Sequence, residues 1–182
     1  MVNTELVQDF VNSRELRPAV EDLGTPEQLA AWLAERQLLE PGARLTNADL
    51  AEVVRVREAL RDLLSAKVGI DVDVDAAKAE IDAAARRAGL EVRFDPTCPR
   101  VEPTASGVRA AVGRILVEVY DEMVDGIWER MKACKAEDCR WAFLDTSKNK
   151  SRAWCSMESC GNRAKVNAYR QRHQLYPAHP HH

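Results

Sequence analysis

Four cysteines near the end of the chain restrict its fold more than any other feature. They form two pairs, Cys134 with Cys139 and Cys155 with Cys160; each pair encloses four residues, and fifteen residues separate the pairs. Two short-spaced pairs of thiols are typical of a closed tetrahedral zinc site, because each pair wraps a tight turn that directs both sulfurs to one metal. Protein sulfur would fill all four positions, so the predicted Zn²⁺ is structural, since a catalytic zinc keeps a position open for water or substrate.

Two alternatives to a zinc site are a pair of disulfides and buried cysteines that act as small hydrophobic residues. Residues 1–10 include Glu5 and Asp9 and have neither a basic start nor an apolar run, so they do not resemble a secretory signal. We therefore expect a cytoplasmic, reducing location, which favours zinc over disulfides. The fifth cysteine, Cys98, lies in a predicted turn and is expected to be a surface thiol.

The residues between and after these cysteines predict a small folded module. The apolar run at 141–144 precedes a polar turn at 146–150, and residues 152–154 lead back to the third cysteine, which predicts a β-hairpin. From Gly161 onward the pattern is helical. Cys160 is therefore expected at the head of a helix, where free backbone N–H groups favour its thiolate.

Three motifs in this region resemble the CGNR zinc-finger family of bacterial proteins: CKAEDCRWAFLDTSKN from residue 134, RAWCSM from residue 152 and CGNRAK from residue 160. The resemblance implies a C-terminal zinc module with a DNA-binding role. It also implies a helical N-terminal domain of the ABATE type, as in stress-induced transcription regulators. The N-terminal resemblance rests on Asp-Phe-Val-Asn at residues 9–12 and on the helices that precede the cysteines.

Capping signals and apolar periodicity predict a mainly α fold. Helices are expected over residues 2–13, 25–40, 46–65, 73–87 and 104–124, and a small β-hairpin over 90–94 and 100–103. The predicted organisation is a helical domain over residues 1–128, a treble-clef-like zinc module over 129–175 and a disordered tail over 176–182. Little or no flexible linker is expected between the two folded parts.

Charge is distributed unevenly along the chain, although the net charge is only −3. Residues 130–173 contain eleven Lys or Arg against four Asp or Glu, whereas the rest contains fifteen against twenty-five. A basic module attached to an acidic body favours DNA as a partner. The residues predicted to contact nucleic acid are Lys148, Lys150, Arg152, Arg163, Lys165, Arg170 and Arg172. For Arg163 an alternative stays open, in which it braces the finger through Asp145 or backbone carbonyls.

The helical domain contains two predicted ligand-binding residues, Asn12 and Arg55. Asn12 is either a buried hydrogen-bond partner or helix cap or, by the family resemblance, a polar group in a small-molecule pocket. Arg55 and Arg57 are either anion ligands or residues of the helix that are solvated or ion-paired with acids such as Glu52 and Glu58. A small-molecule effector and a second subunit are the additional partners that these interpretations predict.

The motifs and charge of the sequence are consistent with two functions. The sequence has no phosphate-binding loop, nucleophile elbow or zinc-protease motif, and no apolar stretch of membrane-spanning length, so we expect neither an enzyme nor a membrane partner. The first hypothesis is a transcription regulator whose finger binds DNA. The second is a protein-interaction module that uses Trp141, Phe143 and Trp154 as an apolar surface.

Overall fold

The computed structural model describes residues 4–174 as a mainly α fold, which confirms the predicted fold class. The elements are α1 (Thr4–Asn12), β1 (Arg14–Glu15), β2 (Val20–Glu21), α2 (Pro26–Glu35), α3 (Asn47–Ala66), α4 (Val74–Ala88), β3 (Leu90–Phe94), β4 (Pro99–Pro103), α5 (Gly107–Val124), β5 (Met131–Ala133), β6 (Ala142–Leu144), a π-helical turn (Met157–Gly161) and α6 (Asn162–Gln174). The predicted tail at 176–182 lies outside the described residues.

The helix starts follow the capping chemistry of the sequence. Thr25 caps α2 by accepting from the Gln28 N–H, and Thr46 and Asp49 form a reciprocal capping box at the start of α3. Asp73 caps α4, which ends at Gly89 in the left-handed conformation with φ 62°. These predicted boundaries are confirmed.

The end of α2 differs from the prediction. The helix stops at Glu35 and not at residue 40, because Gln37 adopts a left-handed conformation with φ 57°. The N–H groups of Gln37 and Leu38 then donate to the carbonyls of Ala34 and Leu33, which is a Schellman motif. Leu38 is buried and supplies the hydrophobic contact that accompanies this motif.

One hydrophobic core extends from the helical body into the C-terminal region. Its main contributors are Val7, Phe10, Val11, Leu29, Leu33, Val53, Val56, Leu60, Leu64, Ala111, Ile115 and Val119, from α1, α2, α3 and α5. Met131, Ala133 and Ala142, from β5 and β6, belong to the same core and are fully buried. The cysteine-containing region is therefore packed directly against the body.

All three sheets of the described chain are antiparallel pairs. The β3–β4 hairpin is confirmed, whereas the short β1–β2 pair was not predicted. The predicted hairpin of the cysteine module is wrong in its partner: the run 142–144 pairs with β5, before the first cysteine, and not with residues 152–154. The physical reason is that side chains, described below, hold the 150–152 backbone in place of a strand ladder.

Within residues 4–174, no helix has the length and apolar character needed to cross a membrane.

Candidate metal centre and the surface around it

The four cysteine sulfurs converge on one point. All four Sγ atoms lie within 4.8 Å of one another, and both the Cys139–Cys155 and the Cys155–Cys160 separations are 3.7 Å. Zn–S bonds of about 2.3 Å in a tetrahedron place neighbouring sulfurs about 3.8 Å apart. The cluster therefore fits a closed zinc site.

The ionisation of the cluster also favours a cation. The contact with Cys139 lowers the pKa of Cys134 to about 5 and raises the pKa of Cys139. Burial raises the pKa of Cys155 to about 12. One thiolate thus suppresses ionisation of its neighbours, and a divalent metal is the group that allows all four to be thiolates.

Local backbone structure positions each pair of sulfurs. Cys134 ends the β5–β6 ladder, with its N–H donating to the Trp141 carbonyl at 2.8 Å. Cys160 lies in the π-helical turn just before α6, close to its predicted place at a helix head. Gly161 follows Cys160, and a Cβ there would lie 2.8 Å from Sδ of Met157. A side chain at position 161 would therefore have to displace the flexible, exposed Met157 side chain.

Comparison with protein families agrees with this geometry. The model described as "CGNR zinc finger" matches residues 130–173, and the ABATE model, described as "Putative stress-induced transcription regulator", matches residues 4–125. The chain belongs to the ABATE family. Its C-terminal CGNR finger holds a structural Zn²⁺ through Cys134, Cys139, Cys155 and Cys160. A search of curated proteins found no match.

A buried ion pair holds together the finger loop, which is the segment 145–152 that follows β6 in the CGNR finger. Lys132 Nζ donates to Asp145 Oδ2 at 2.7 Å and to the carbonyls of Lys150 and Arg152 at 2.5 and 3.2 Å. Asp145 also accepts from Ser147 and from the Arg152 N–H. Burial acts to raise the pKa of Asp145, but these hydrogen bonds outweigh it and hold the pKa well below its ordinary value. These contacts replace the strand ladder predicted for residues 152–154.

Arg163 contacts the metal centre. Its guanidinium donates to Cys160 Sγ at 3.3 Å and to Asp138 Oδ1 at 3.2 Å, and Arg17 of the body binds the other oxygen of Asp138 at 2.8 Å. This geometry matches the bracing interpretation of Arg163, with Asp138 in the place suggested for Asp145. A guanidinium beside a zinc thiolate stabilises its negative charge.

The other residues predicted to contact nucleic acid fall into two groups. Arg152 and Lys150 are engaged within the finger: Arg152 donates to the carbonyls of Trp154 and Cys155 and lies over the Phe143 ring, and Lys150 pairs with Glu129. The members of the second group are exposed and have no carboxylate partner in the described chain: Lys148, Lys165, Arg170 and Arg172. Lys135, which was not predicted, shares these properties.

Helix α6 carries most of this free charge and projects from the finger. Every residue from Lys165 to Arg172 is exposed, and the main packing contact of α6 is with the π-helical turn that precedes it. A helix that is exposed on all sides does not contribute to a core. The surface of α6 is therefore available to a partner outside the chain.

Several polar contacts attach the CGNR finger to the ABATE domain. Asn12 forms two hydrogen bonds with the backbone of Ala142, and Arg140 binds Asp62 and Ser65 of α3. Lys67 Nζ donates to the carbonyls of Trp128 and Met131. These contacts join α1 and α3 to both strands of the finger.

The predicted ligand-binding residues have partners within the protein. Both polar atoms of the Asn12 amide bind Ala142, which matches the interpretation as a buried hydrogen-bond partner. Arg55 is an exposed residue of α3 whose guanidinium lies 3.6 Å from Glu80. Arg57 is fully buried and not solvated, but the predicted ion pairing is confirmed: Arg57 binds Glu58 at 3.0 Å and both oxygens of Glu21 at 2.6 and 2.7 Å.

Arg61 is a structural residue that the sequence interpretation missed. It is fully buried, and its guanidinium donates to the carbonyls of Val11, Arg14 and Arg140. Arg57, Arg61 and Ser65 recur every fourth residue beside the apolar stripe of α3. That spacing is the signal that places a polar row on the inner face of a helix.

A second buried polar site lies where the body meets the finger. Both carboxylate oxygens of Glu122 are buried and have no hydrogen-bond partner among the described residues. Burial, reinforced by Glu118, raises the pKa of Glu122 to about 7. Burial also lowers the pKa of nearby Lys67 to about 8. Stability should therefore depend on pH at this junction.

Proposed function

We propose that this protein is a transcription regulator that binds DNA through α6 and the loop of its CGNR finger. One observation carries the proposal: α6 is exposed from Lys165 to Arg172 and presents basic side chains without carboxylate partners. An α-helix fits the major groove of B-DNA, and free Lys and Arg residues neutralise phosphates. The membership of the ABATE family supports this role.

The free basic residues suggest a division of roles. Lys165 and Arg172 are seven residues apart and share one face of α6, so they suit phosphates on one side of the groove. Lys148, on the finger loop, suits a second phosphate contact. Arg170 lies on another face and is the candidate for a bidentate contact to guanine. Arg163 would act indirectly by holding α6 against the zinc centre.

Fluorescence anisotropy with labelled duplex DNA over a salt series tests the proposal. Lys148→Ala and Lys165→Ala should each weaken binding to all sequences and reduce the salt slope by roughly one unit. Arg170→Ala should cost roughly 1–3 kcal/mol and relax specificity at one base pair. Lys78→Ala, which removes an exposed lysine from the body, is the matched control. Unchanged DNA affinity after all three finger changes, with zinc retained, would exclude the DNA role.

The alternative function is protein docking through the same helix. Trp141, Phe143 and Trp154 do not form the exposed apolar surface expected for it, since Phe143 is buried and both tryptophans are half-buried. Val166 and Tyr169 on α6 are exposed instead, and they favour this second candidate. Loss of function in Val166→Ser, with DNA affinity unaffected, would support protein docking over DNA binding.

The ABATE domain is proposed to sense a small-molecule effector. A cleft of about 500 Å³ beside the metal centre is lined by Gln8, Glu15 and Arg17 of the ABATE domain; its other lining residues belong to the finger and include the zinc ligands Cys139, Cys155 and Cys160. An effector there would contact both domains and so alter the position of the finger. Thermal-shift screening of metabolites, repeated with Arg17→Ala, tests this role. The proposed function requires no catalytic step.

A further inference from the structure

The β3–β4 hairpin leaves an apolar edge of the body uncovered. β4 packs against α5, whereas β3 has no strand on its outer side within residues 4–174. Phe94 is 88% exposed and Val92 is 56% exposed. A two-stranded sheet is marginal on its own, and an open edge with apolar side chains is a template for another strand.

The backbone of β3 presents hydrogen-bonding groups to this open side. The Thr104 N–H donates to the Gly89 carbonyl at 3.1 Å, one residue beyond the β3–β4 ladder. Hydrogen-bonded pairs alternate along an antiparallel ladder, so Leu90, Val92 and Phe94 direct their N–H and C=O groups away from β4. The backbone groups of these three outward-facing residues are thus available to pair with another strand.

The outer edge of β4 is blocked by comparison. By the same alternation its outward positions are 99, 101 and 103, and Pro99 and Pro103 have no N–H to donate. α5 also packs against this strand. The open edge of the hairpin is therefore β3 alone.

The charges that lie directly across the hairpin from each other are unfavourable within one chain. Glu91 lies directly opposite Glu102, and Arg93 lies directly opposite Arg100. Like charges in directly opposite positions destabilise an antiparallel pair. Glu91 and Arg93 contact each other along β3 at 3.2 Å, but both are exposed, and opposite charges directly across from them require a strand that offers an arginine across from Glu91 and a glutamate across from Arg93.

We propose that β3 of a second copy of this chain is that strand. In antiparallel pairing centred on Val92, each Val92 faces its counterpart, and Glu91 of either copy faces Arg93 of the other. Leu90 then faces Phe94. The two hairpins form one four-stranded sheet in the order β4-β3-β3-β4.

The same register provides a place for Phe94. Residues in directly opposite positions project from the same face of a sheet, so Phe94 of one copy lies beside Leu90 of the other. On this face, Val92, Val117 and Tyr120 line a shallow groove of about 300 Å³. The most exposed large hydrophobic side chain of the described residues would thus be covered in the dimer.

Complementary charge reversal, followed by sedimentation velocity on the full chain, tests the register. The parent protein should be dimeric, and Glu91→Arg and Arg93→Glu alone should each raise the dissociation constant roughly tenfold or more. An equimolar mixture of the two variants should associate again, because one copy then presents two arginines and the other two glutamates. This recovery is specific to the antiparallel register.

Unfolding of the variants would not produce this pattern, in which dimerisation is lost in each variant and recovered in their mixture. Each reversal places an opposite charge across from Glu102 or Arg100 within the hairpin, which offsets the loss of the exposed Glu91–Arg93 pair, so the hairpin of the single chain is retained. Glu102→Arg makes the same change of charge on β4 and should leave the dimer intact. A monomeric parent protein, single variants that remain dimeric, or a mixture that does not associate would each overturn the proposal.

Discussion

Asn12 and Ala142 form a reciprocal pair of hydrogen bonds between the first helix and the zinc finger. Asn12 Nδ2 donates to the Ala142 carbonyl at 2.9 Å, and Asn12 Oδ1 accepts from the Ala142 N–H at 2.7 Å. Both residues are buried, so neither backbone group has water as an alternative partner. The side-chain amide therefore acts as an additional strand edge for β6.

Asn12→Ala should lower the free energy of unfolding by about 1–3 kcal/mol, because it leaves a buried N–H and a buried C=O without partners. Urea unfolding monitored by circular dichroism measures the change. Asn149→Ala, at an exposed position of the finger loop, should change stability by less than about 0.5 kcal/mol. Equal effects of the two substitutions would show that the Asn12–Ala142 hydrogen bonds do not stabilise the protein.

Arg61→Lys should destabilise the protein by roughly 2–4 kcal/mol, since a lysine cannot serve three carbonyls with the fixed geometry of a guanidinium. Arg55→Lys, in the same helix but exposed, provides the matched control and should be nearly neutral. Thermal and urea denaturation of both variants give the comparison. A tolerated lysine at position 61 would show that the buried guanidinium does not hold the two domains together.

Arg163→Ala should lower zinc affinity roughly 10–100-fold, because it removes a cation in contact with Cys160 Sγ and with Asp138. Lys165→Ala, two residues away and exposed, should leave zinc affinity unchanged. Competition with a chromophoric chelator measures both variants.

Purified parent protein should contain about one zinc per chain, as elemental analysis would show.

Removal of zinc should lower the unfolding temperature of the whole chain and not of the finger alone. Met131, Ala133 and Ala142 belong to the main core, so loosening of the finger exposes apolar surface of the body. Calorimetry with and without chelator, and with Cys155→Ser, is the measurement. A separate finger transition that leaves the body transition unchanged would be the opposite result.

Glu122→Gln should remove a pH dependence of stability between about pH 4.5 and 7. The folded state raises the pKa of Glu122 from 4.5 to about 7, so the folded protein binds more protons than the unfolded chain in this interval. The contribution of Glu122 is therefore most favourable at low pH and is lost as pH rises. Urea titrations at pH 5 and pH 8 give the unfolding free energy at each pH. The difference between the two values should be smaller in the variant than in the parent protein by roughly 1–3 kcal/mol.

Local signals in the sequence were sufficient for the helices and the metal ligands. Thr25, Thr46 and Gly89 act within one turn of the residues that they cap, and the cysteine spacing is itself a geometric constraint. The pairing of β6 with β5 could not be predicted in this way. The backbone at 150–152 is held instead by Lys132 and Asp145, which are thirteen residues apart in sequence and meet only in the folded protein.

The roles of the polar residues were harder to predict than the fold. Lys150, Arg152 and Arg163 are basic residues of a basic module, and charge alone does not distinguish a free side chain from a brace. The distinction comes from the position of a carboxylate or carbonyl in space. Arg61 was missed for the same reason, since its partners lie in three separate segments.

The shared core has a consequence for protein engineering. A zinc finger that folds around its metal alone can be transplanted as a cassette between host proteins. Here Lys67, Asn12 and Arg61 bind backbone groups of the finger, and the strands β5 and β6 have their apolar side facing the helices. Chimeras should therefore exchange residues 130–174 only together with the matching surfaces of α1 and α3.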